Sequence, residues 1–160
     1  MVIQYRLTAC PELCLGVFIK GFGEDIKADD EQLIAQIIST KTPTLNVSDE
    51  SMEIPELDSN GRVVSPTTDL RGHCEQGRTI AIHSVVVDPN YQGKSIGTIL
   101  LNEYIQRLSV VKNADRFALI AHDYLVPFYE RVGFESKGLS ACNFSGGGWY
   151  DMHAPLLADN

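Results

Sequence analysis

His83-Ser-Val-Val-Val-Asp-Pro-Asn-Tyr-Gln-Gly-Lys-Ser-Ile-Gly97 decides the reading of this 160-residue chain. An apolar, β-branched run enters a short polar turn at residues 88–91, and the turn opens a long amphipathic segment. Ile96, Ile99, Leu100, Tyr104 and Leu108 recur there at near-helical spacing, which predicts a helix over residues 95–110. The first N–H groups of such a helix have no intrahelical partner and carry partial positive charge. A strand–turn–helix corner of this kind is an anion site suited to a pyrophosphate. Gly93 and Gly97 let a ligand or the sheet approach the backbone, and Lys94 adds charge. The plain alternative is a corner with glycine for geometry alone. A P-loop is excluded, because the position that would need its first glycine is Asp88. A Gly-x-Gly-x-x-Gly dinucleotide fingerprint is absent.

Around this corner, residues 78–88 form the strongest strand pattern in the chain. Residues 13–20 and 32–40 read as two earlier strands, closed into a hairpin by a Gly- and Asp-rich turn over 21–30. The first ten residues could be the tail of a helix. Further on, 116–121 is a buried strand and 126–132 a short helix, with Pro127 in its first turn and Gly133 ending it. Residues 134–136 and 148–155 close the pattern as strands. Residues 42–77 are mostly Ser, Thr, Asp, Glu, Pro, Asn and Gly, with Val63-Val64 the one adjacent pair of branched aliphatics. So long a structureless connection is uncommon in a compact domain. The expectation is a single domain over residues 1–160 with a polar, flexible insertion at about 42–77. The order of elements gives an α+β or mixed α/β domain around a central sheet.

A composition of 44% hydrophobic and 21% charged residues is that of a globular domain and excludes wholesale disorder. The net charge of −8 repels nucleic acid and anionic membranes and attracts cations. No apolar run is long enough to span a bilayer, and Arg6 and Glu12 interrupt what a signal peptide would need. Cys10-Pro-Glu-Leu-Cys14 has no second pair to complete a metal site, so Cys10, Cys14, Cys74 and Cys142 read as reduced thiols. These features point to a soluble, cytoplasmic domain with no metal and no nucleic-acid or membrane partner.

Gln92-Gly-Lys-Ser-Ile-Gly97 resembles the pyrophosphate motif of the GNAT acetyltransferase superfamily, matching it at Gln92 and Gly97, with Ser95 where the family has its middle glycine. His122-Asp-Tyr-Leu-Val-Pro-Phe-Tyr-Glu-Arg-Val-Gly-Phe134 is similar to the family's late strand-to-helix segment. With residues 82–88 and Trp149-Tyr-Asp-Met152, the pattern resembles arylalkylamine N-acetyltransferases, closest to the yeast polyamine acetyltransferase branch. The resemblance implies a GNAT-like central mixed sheet flanked by helices, with acetyl-CoA between two splayed parallel strands. It implies that the backbone of Val85, Val86 and Val87 pairs with the pantetheine arm, and that Gln92, Gly93, Lys94, Ser95, Ile96, Gly97 and Thr98 hold the pyrophosphate.

The implied reaction is acetyl transfer by direct attack of a small amine, a polyamine or an arylalkylamine, so none of the four cysteines is required. An alkylamine with a pKa of roughly 10.4 arrives protonated, and the chemistry asks for a base near neutrality and a proton donor at the leaving sulfur. His83 is the first choice for the base, since His titrates in this range. The related animal enzymes carry two histidines on this strand. Ala81 stands at the first of those positions here, and His122, at the end of the next strand, is the candidate to replace it. Tyr129 matches the family tyrosine that donates to the thiolate, whereas His73 and His153 read as solvated surface residues. The family's first strand and helix are missing from the matched pattern. An edge strand at 13–20 is therefore expected to be open, with a homodimer able to supply the absent wall. The alternatives are a protein or peptide N-acetyltransferase of the same fold, and a binding module that holds acetyl-CoA without turnover.

Overall fold

The computed structural model describes residues 1–21 and 30–157. Six strands form one sheet in the order β1-β2-β3-β4-β6-β5. They are β1 (Leu15–Lys20), β2 (Glu31–Thr42), β3 (Thr79–Val87), β4 (Arg116–Ala121), β5 (Glu135–Leu139) and β6 (Tyr150–Pro155). Four helices accompany them: α1 (Val2–Ala9), α2 (Asp49–Met52), α3 (Ile96–Val111) and α4 (Val126–Arg131). This is the α+β mixed sheet that the sequence predicts. The turn expected over residues 21–30 lies outside the described residues, apart from its two ends, where Gly21 N donates to Asp30 O at 3.0 Å. β1 is an edge strand of this sheet, as expected for residues 13–20.

The β-branched run Thr79-Ile-Ala-Ile-His-Ser-Val-Val-Val87 lies in the middle of the sheet. It pairs antiparallel with β2 along most of its length. Its other neighbour, β4, is parallel and pairs only from Thr79↔Arg116 to Ala81↔Ala118. Beyond Ala81 and Ala118 the two strands part, so the β4-facing backbone of residues 84–87 is left without a strand partner.

A second irregularity sits in the same place. Ile38 pairs with Ser84 and Ser39 with Ile82, which leaves His83 as the extra residue of a β-bulge. Strand residues alternate between faces, and a bulge resets that alternation. Ile80 and Ile82 face the main core, and Val85 and Val87 pack against that same core. Ala81 belongs instead to a smaller cluster with Ala118 and Val47, against which Met52 and Ile120 pack. His83 touches Met52 and so shares this second face.

α3 covers the first face. Leu100, Leu101, Tyr104, Ile105 and Leu108 are its buried side. The Tyr104 hydroxyl donates within the core to Leu13 O at 2.8 Å and lies 2.7 Å from Ser39 Oγ. A buried phenol needs such partners.

The segment at 42–77 carries structure that its composition does not announce. Ser48 and Ser51 cap α2 reciprocally, each side chain accepting from the other's backbone N–H. Its far end is tied down: Cys74 N donates to Lys41 O at 2.8 Å, and Lys41 Nζ donates to Glu75 O at 2.6 Å. Gly77 crosses Thr42 so closely that a Cβ would lie 2.6 Å from its carbonyl. Only glycine fits there.

His73, expected in solvent, is a correction. Its side chain is buried, with Nδ1 accepting from Lys41 N at 3.1 Å and Nε2 2.9 Å from Glu75 Oε2. His153 is half-buried rather than solvated, with Nε2 2.6 Å from Asn46 Oδ1. Burial holds its pKa below the usual value.

Candidate active site

A cleft of about 420 Å³ opens where β3 and β4 part. Val85 and Val87 form its floor, and Gln92, Gly93, Ser95, Ile96, Gly97 and Thr98 form one wall at the start of α3. Leu125, Phe128 and Tyr129 close the other side, with Tyr91 at the rim. The turn is built by two successive left-handed departures, Gly93 at φ +74° and Ser95 at φ +61°. Backbone that departs to the left-handed region just before a helix start is of the kind that gathers N–H groups around an anion. Ser95 thus does at some conformational cost what a glycine would do without it. Gly97 faces the cleft. A Cβ there would meet Phe128 Cζ at 3.5 Å and Val87 Cγ2 at 3.6 Å, so its hydrogen keeps the passage open.

Two of the residues expected to hold the cofactor, Val86 on the arm and Lys94 in the cradle, are placed differently from the rest. The Val86 side chain is exposed on the opposite face, so only its backbone can serve the cleft. Lys94 does not line the cleft, and its ammonium lies 5.7 Å from the Tyr91 ring centroid. Gln92 folds back so that Nε2 donates to Val87 O at 3.0 Å, which ties the turn to the end of β3. The cradle, the unpaired β3 backbone and the apolar floor fit an adenosine diphosphate with an extended amide arm.

Tyr129 comes from α4 and is 9% exposed. It packs edge-on against Phe128 and Phe134. Among the described residues its hydroxyl has no hydrogen-bond partner, and burial pushes its pKa up to about 12. The phenol is therefore a protonated, uncommitted donor on the cleft wall throughout the neutral range.

His83 lies on the other face of the sheet, between β2 and α2. Nε2 is 2.7 Å from Thr40 Oγ1 and Nδ1 is 3.2 Å from Met52 Sδ. A thioether can only accept, so Nδ1 carries the proton and Nε2 accepts from the Thr40 hydroxyl. Burial, with a contribution from the Arg6 charge, holds the imidazole pKa well below its usual value. Arg6 is itself buried, and its Nη2 donates to Met52 O at 3.1 Å. His83 is thus neutral at pH 7. The sequence offered no sign of Thr40 or Met52 as its partners, because both lie far away along the chain.

His122 follows β4 and stacks on Trp149 at 4.0 Å and on Tyr124 at 5.6 Å between ring centroids. No hydrogen bond joins it to His83 or to Tyr129 among the described residues. Cys10, Cys14, Cys74 and Cys142 are all free thiols, and burial drives the Cys10 thiol up to about 12. A thiol held that high is not a nucleophile at neutral pH.

A mixed sheet that splays beside a left-handed turn and a helix start defines a class of acyl-CoA-binding domains. The Acetyltransferase (GNAT) domain family matches residues 22–155, and this chain belongs to it. It is 29% identical over 136 residues to the serotonin N-acetyltransferase of Mesocricetus auratus, covering 85% of this chain and 52% of that protein. Against the serotonin N-acetyltransferase of Macaca mulatta it is 29% identical over 154 residues, covering 96% of this chain and 62% of that one. The chain thus spans between half and two-thirds of the length of these relatives. Among solved structures, the NatC complex bound to Gag peptide and CoA has a chain with TM-score 0.63 at 19% identity, covering 98% of this chain and 79% of that one. That likeness is one of fold. Among the described residues no helix is long and apolar enough to cross a membrane.

Proposed function

We propose that this chain transfers the acetyl group of acetyl-CoA to a small amine, an arylalkylamine or a polyamine, by direct attack. The observation that carries the reading is the cleft between β3 and β4, with a cradle at one end and the free Tyr129 hydroxyl on its wall. The likeness to serotonin N-acetyltransferases supports an amine as acceptor.

Acetyl-CoA, when bound, supplies an activated acyl carbon and a thiolate leaving group. The β3 backbone at residues 85–87 orients the arm, and residues 92–98 hold the charged end. A protonated amine must lose a proton before it attacks. In this reading neutral His83 is the group that takes that proton, with the buried Thr40 hydroxyl and Met52 fixing its ring. The new N–C bond forms as the C–S bond breaks, and Tyr129 gives its proton to sulfur. His122 has a different role in this reading: its ring is held in a stack with Trp149 and Tyr124 and does not carry the proton.

The test is acetyl-CoA titration followed by a thiol-release assay over an amine panel. Thermal protection by acetyl-CoA is expected by mass action, with thiol release in the presence of tryptamine or spermidine. Protection without release by any acceptor would reduce the chain to a binding module. Release with peptides alone would change the acceptor class.

A further inference from the structure

A second cavity, of about 370 Å³, opens on the His83 face of the sheet, between residues 44–50 and 140–142. Asp49, Glu50 and Asp151 line it, and no lysine, arginine or histidine does. Asp151 is 6% exposed, and its Oδ1 is buried without a hydrogen-bond partner. Buried carboxylate oxygens are costly to leave unpaired and are nearly always found with a donor. Asp49 Oδ1 accepts from Asn143 N at 2.9 Å and from Cys142 Sγ at 3.3 Å, which fixes this second carboxylate at the wall. The site therefore calls for a cation that brings its own N–H donors. An ammonium brings three. A metal ion is disfavoured, because no group of three or more His, Cys, Asp or Glu side chains among the described residues is arranged to hold one.

The cavity also lies beside the place where His83 would act. Asp49, which lines the cavity, opens α2, and Met52, which touches His83, closes it three residues on, a rise of about 4.5 Å along the axis. Asp151 on β6 pairs with Ile120 on β4, and Ile120 packs on the Ala81–Ala118 cluster of this same face. We propose that Asp151, with Asp49, binds the distal ammonium of a diamine or polyamine acceptor whose other amine reacts beside His83. This inference rests on the acetyl-transfer reading above and names its acceptor class. The reaction itself is unchanged, since one nitrogen is acylated while the other remains an ammonium on the carboxylates.

The experiment is calorimetric titration of spermidine into the protein with CoA present. It compares the wild type with Asp151→Asn, Asp49→Asn and Glu103→Gln. Glu103 pairs with Arg107 on the outside of α3, so it removes the same charge far from the cavity. Asp151→Asn should weaken spermidine at least about tenfold, the scale of one lost charge-assisted hydrogen bond. Asp49→Asn should weaken it less, and Glu103→Gln should leave it unchanged. The ratio of kcat/KM for spermidine over tryptamine should fall in the two cavity variants. Asp151→Asn keeps the size and shape of the side chain, so the variant is expected to fold, and its melting temperature checks that it does. Asp49→Asn keeps the Oδ1 acceptor and gives a second test. No spermidine binding in the wild type would overturn the inference. So would binding indifferent to Asp151 and Asp49, or an equal loss in Glu103→Gln. If tryptamine is then still acetylated, the acetyl-transfer reading stands without the ammonium site. Binding that depends on Asp151, with no acetyl transfer to any amine, would leave the site standing and sink the transfer reading.

Discussion

The two cavities lie against opposite faces of one sheet and are built in opposite ways. The cleft beside α3 takes most of its lining from residues 85–98, a nearly continuous stretch, and adds α4 as its lid. The carboxylate cavity takes its lining from residues 44–50, from 140–142 and from Asp151, segments about ninety residues apart in sequence. The first is a local device, in which a strand end, a turn and a helix start carry the geometry wherever the fold places them. The second exists only once the chain between β2 and β3 has folded onto the sheet. A local device can be broken at one position, whereas an assembled one is tuned by several.

Gly97→Val should produce the largest effect. Its Cβ fits between Phe128 and Val87, but the two extra methyl groups have only the cleft to enter. Acetyl-CoA at 100 times its Kd stabilises a native protein by about 2.7 kcal/mol, and the variant should lose that protection entirely. Spermidine binding, read on the other face, should survive. Loss of both would mean that the cavities are one site.

Tyr129→Phe comes next. Turnover should fall on the order of 100-fold, since proton donation contributes about that much, while thermal protection by acetyl-CoA persists. Full turnover in this variant would make Tyr129 a packing residue.

His83 carries the pH dependence. Its folded pKa lies below the unfolded value of about 6.5. The unfolded chain therefore takes up a proton first as pH falls. The stability contributed by the neutral imidazole is fully present above about pH 6.5 and is lost as pH falls toward the folded pKa, at up to about 1.4 kcal/mol per pH unit. His83→Gln should flatten this acid slope in melting temperature and make the transfer rate climb with pH through the neutral range. An unchanged slope and rate profile would take the base role from His83.

Ser95→Gly is the smallest expected change. It relieves a left-handed residue at φ +61° but adds freedom to the unfolded chain, for a net gain of about 0.5 kcal/mol. Acetyl-CoA affinity should hold or improve. A loss of affinity would show that the Ser95 side chain itself contacts the ligand.

The cleft was legible because its signals are short-range. β-branched residues, a polar turn, Gly93 and Gly97, and apolar positions at helical spacing all lie between residues 83 and 108. The bulge at His83 was not legible. Alternation along 79–87 assigns His83 and Val85 to one face, yet the extra residue opposite β2 puts them on different faces. His73 was misjudged for a related reason. A histidine in a polar stretch looks solvated until Lys41 and Glu75 are brought against it. Asp151 sits next to core-forming Met152 on β6, and nothing in that strand's pattern marks one of its carboxylate oxygens as unpaired.

The sequence by itself determined most of the elements outside residues 42–77, the cradle turn and the pairing of β1 with β2, because propensity, spacing and turn chemistry act over a few residues. Tertiary structure decided where β3 and β4 part, which face His83 takes and which carboxylates share a cavity. Those outcomes depend on the register between strands and on contacts across forty to a hundred residues. A one-residue shift in register reverses a side chain's face without changing the composition of the strand that carries it.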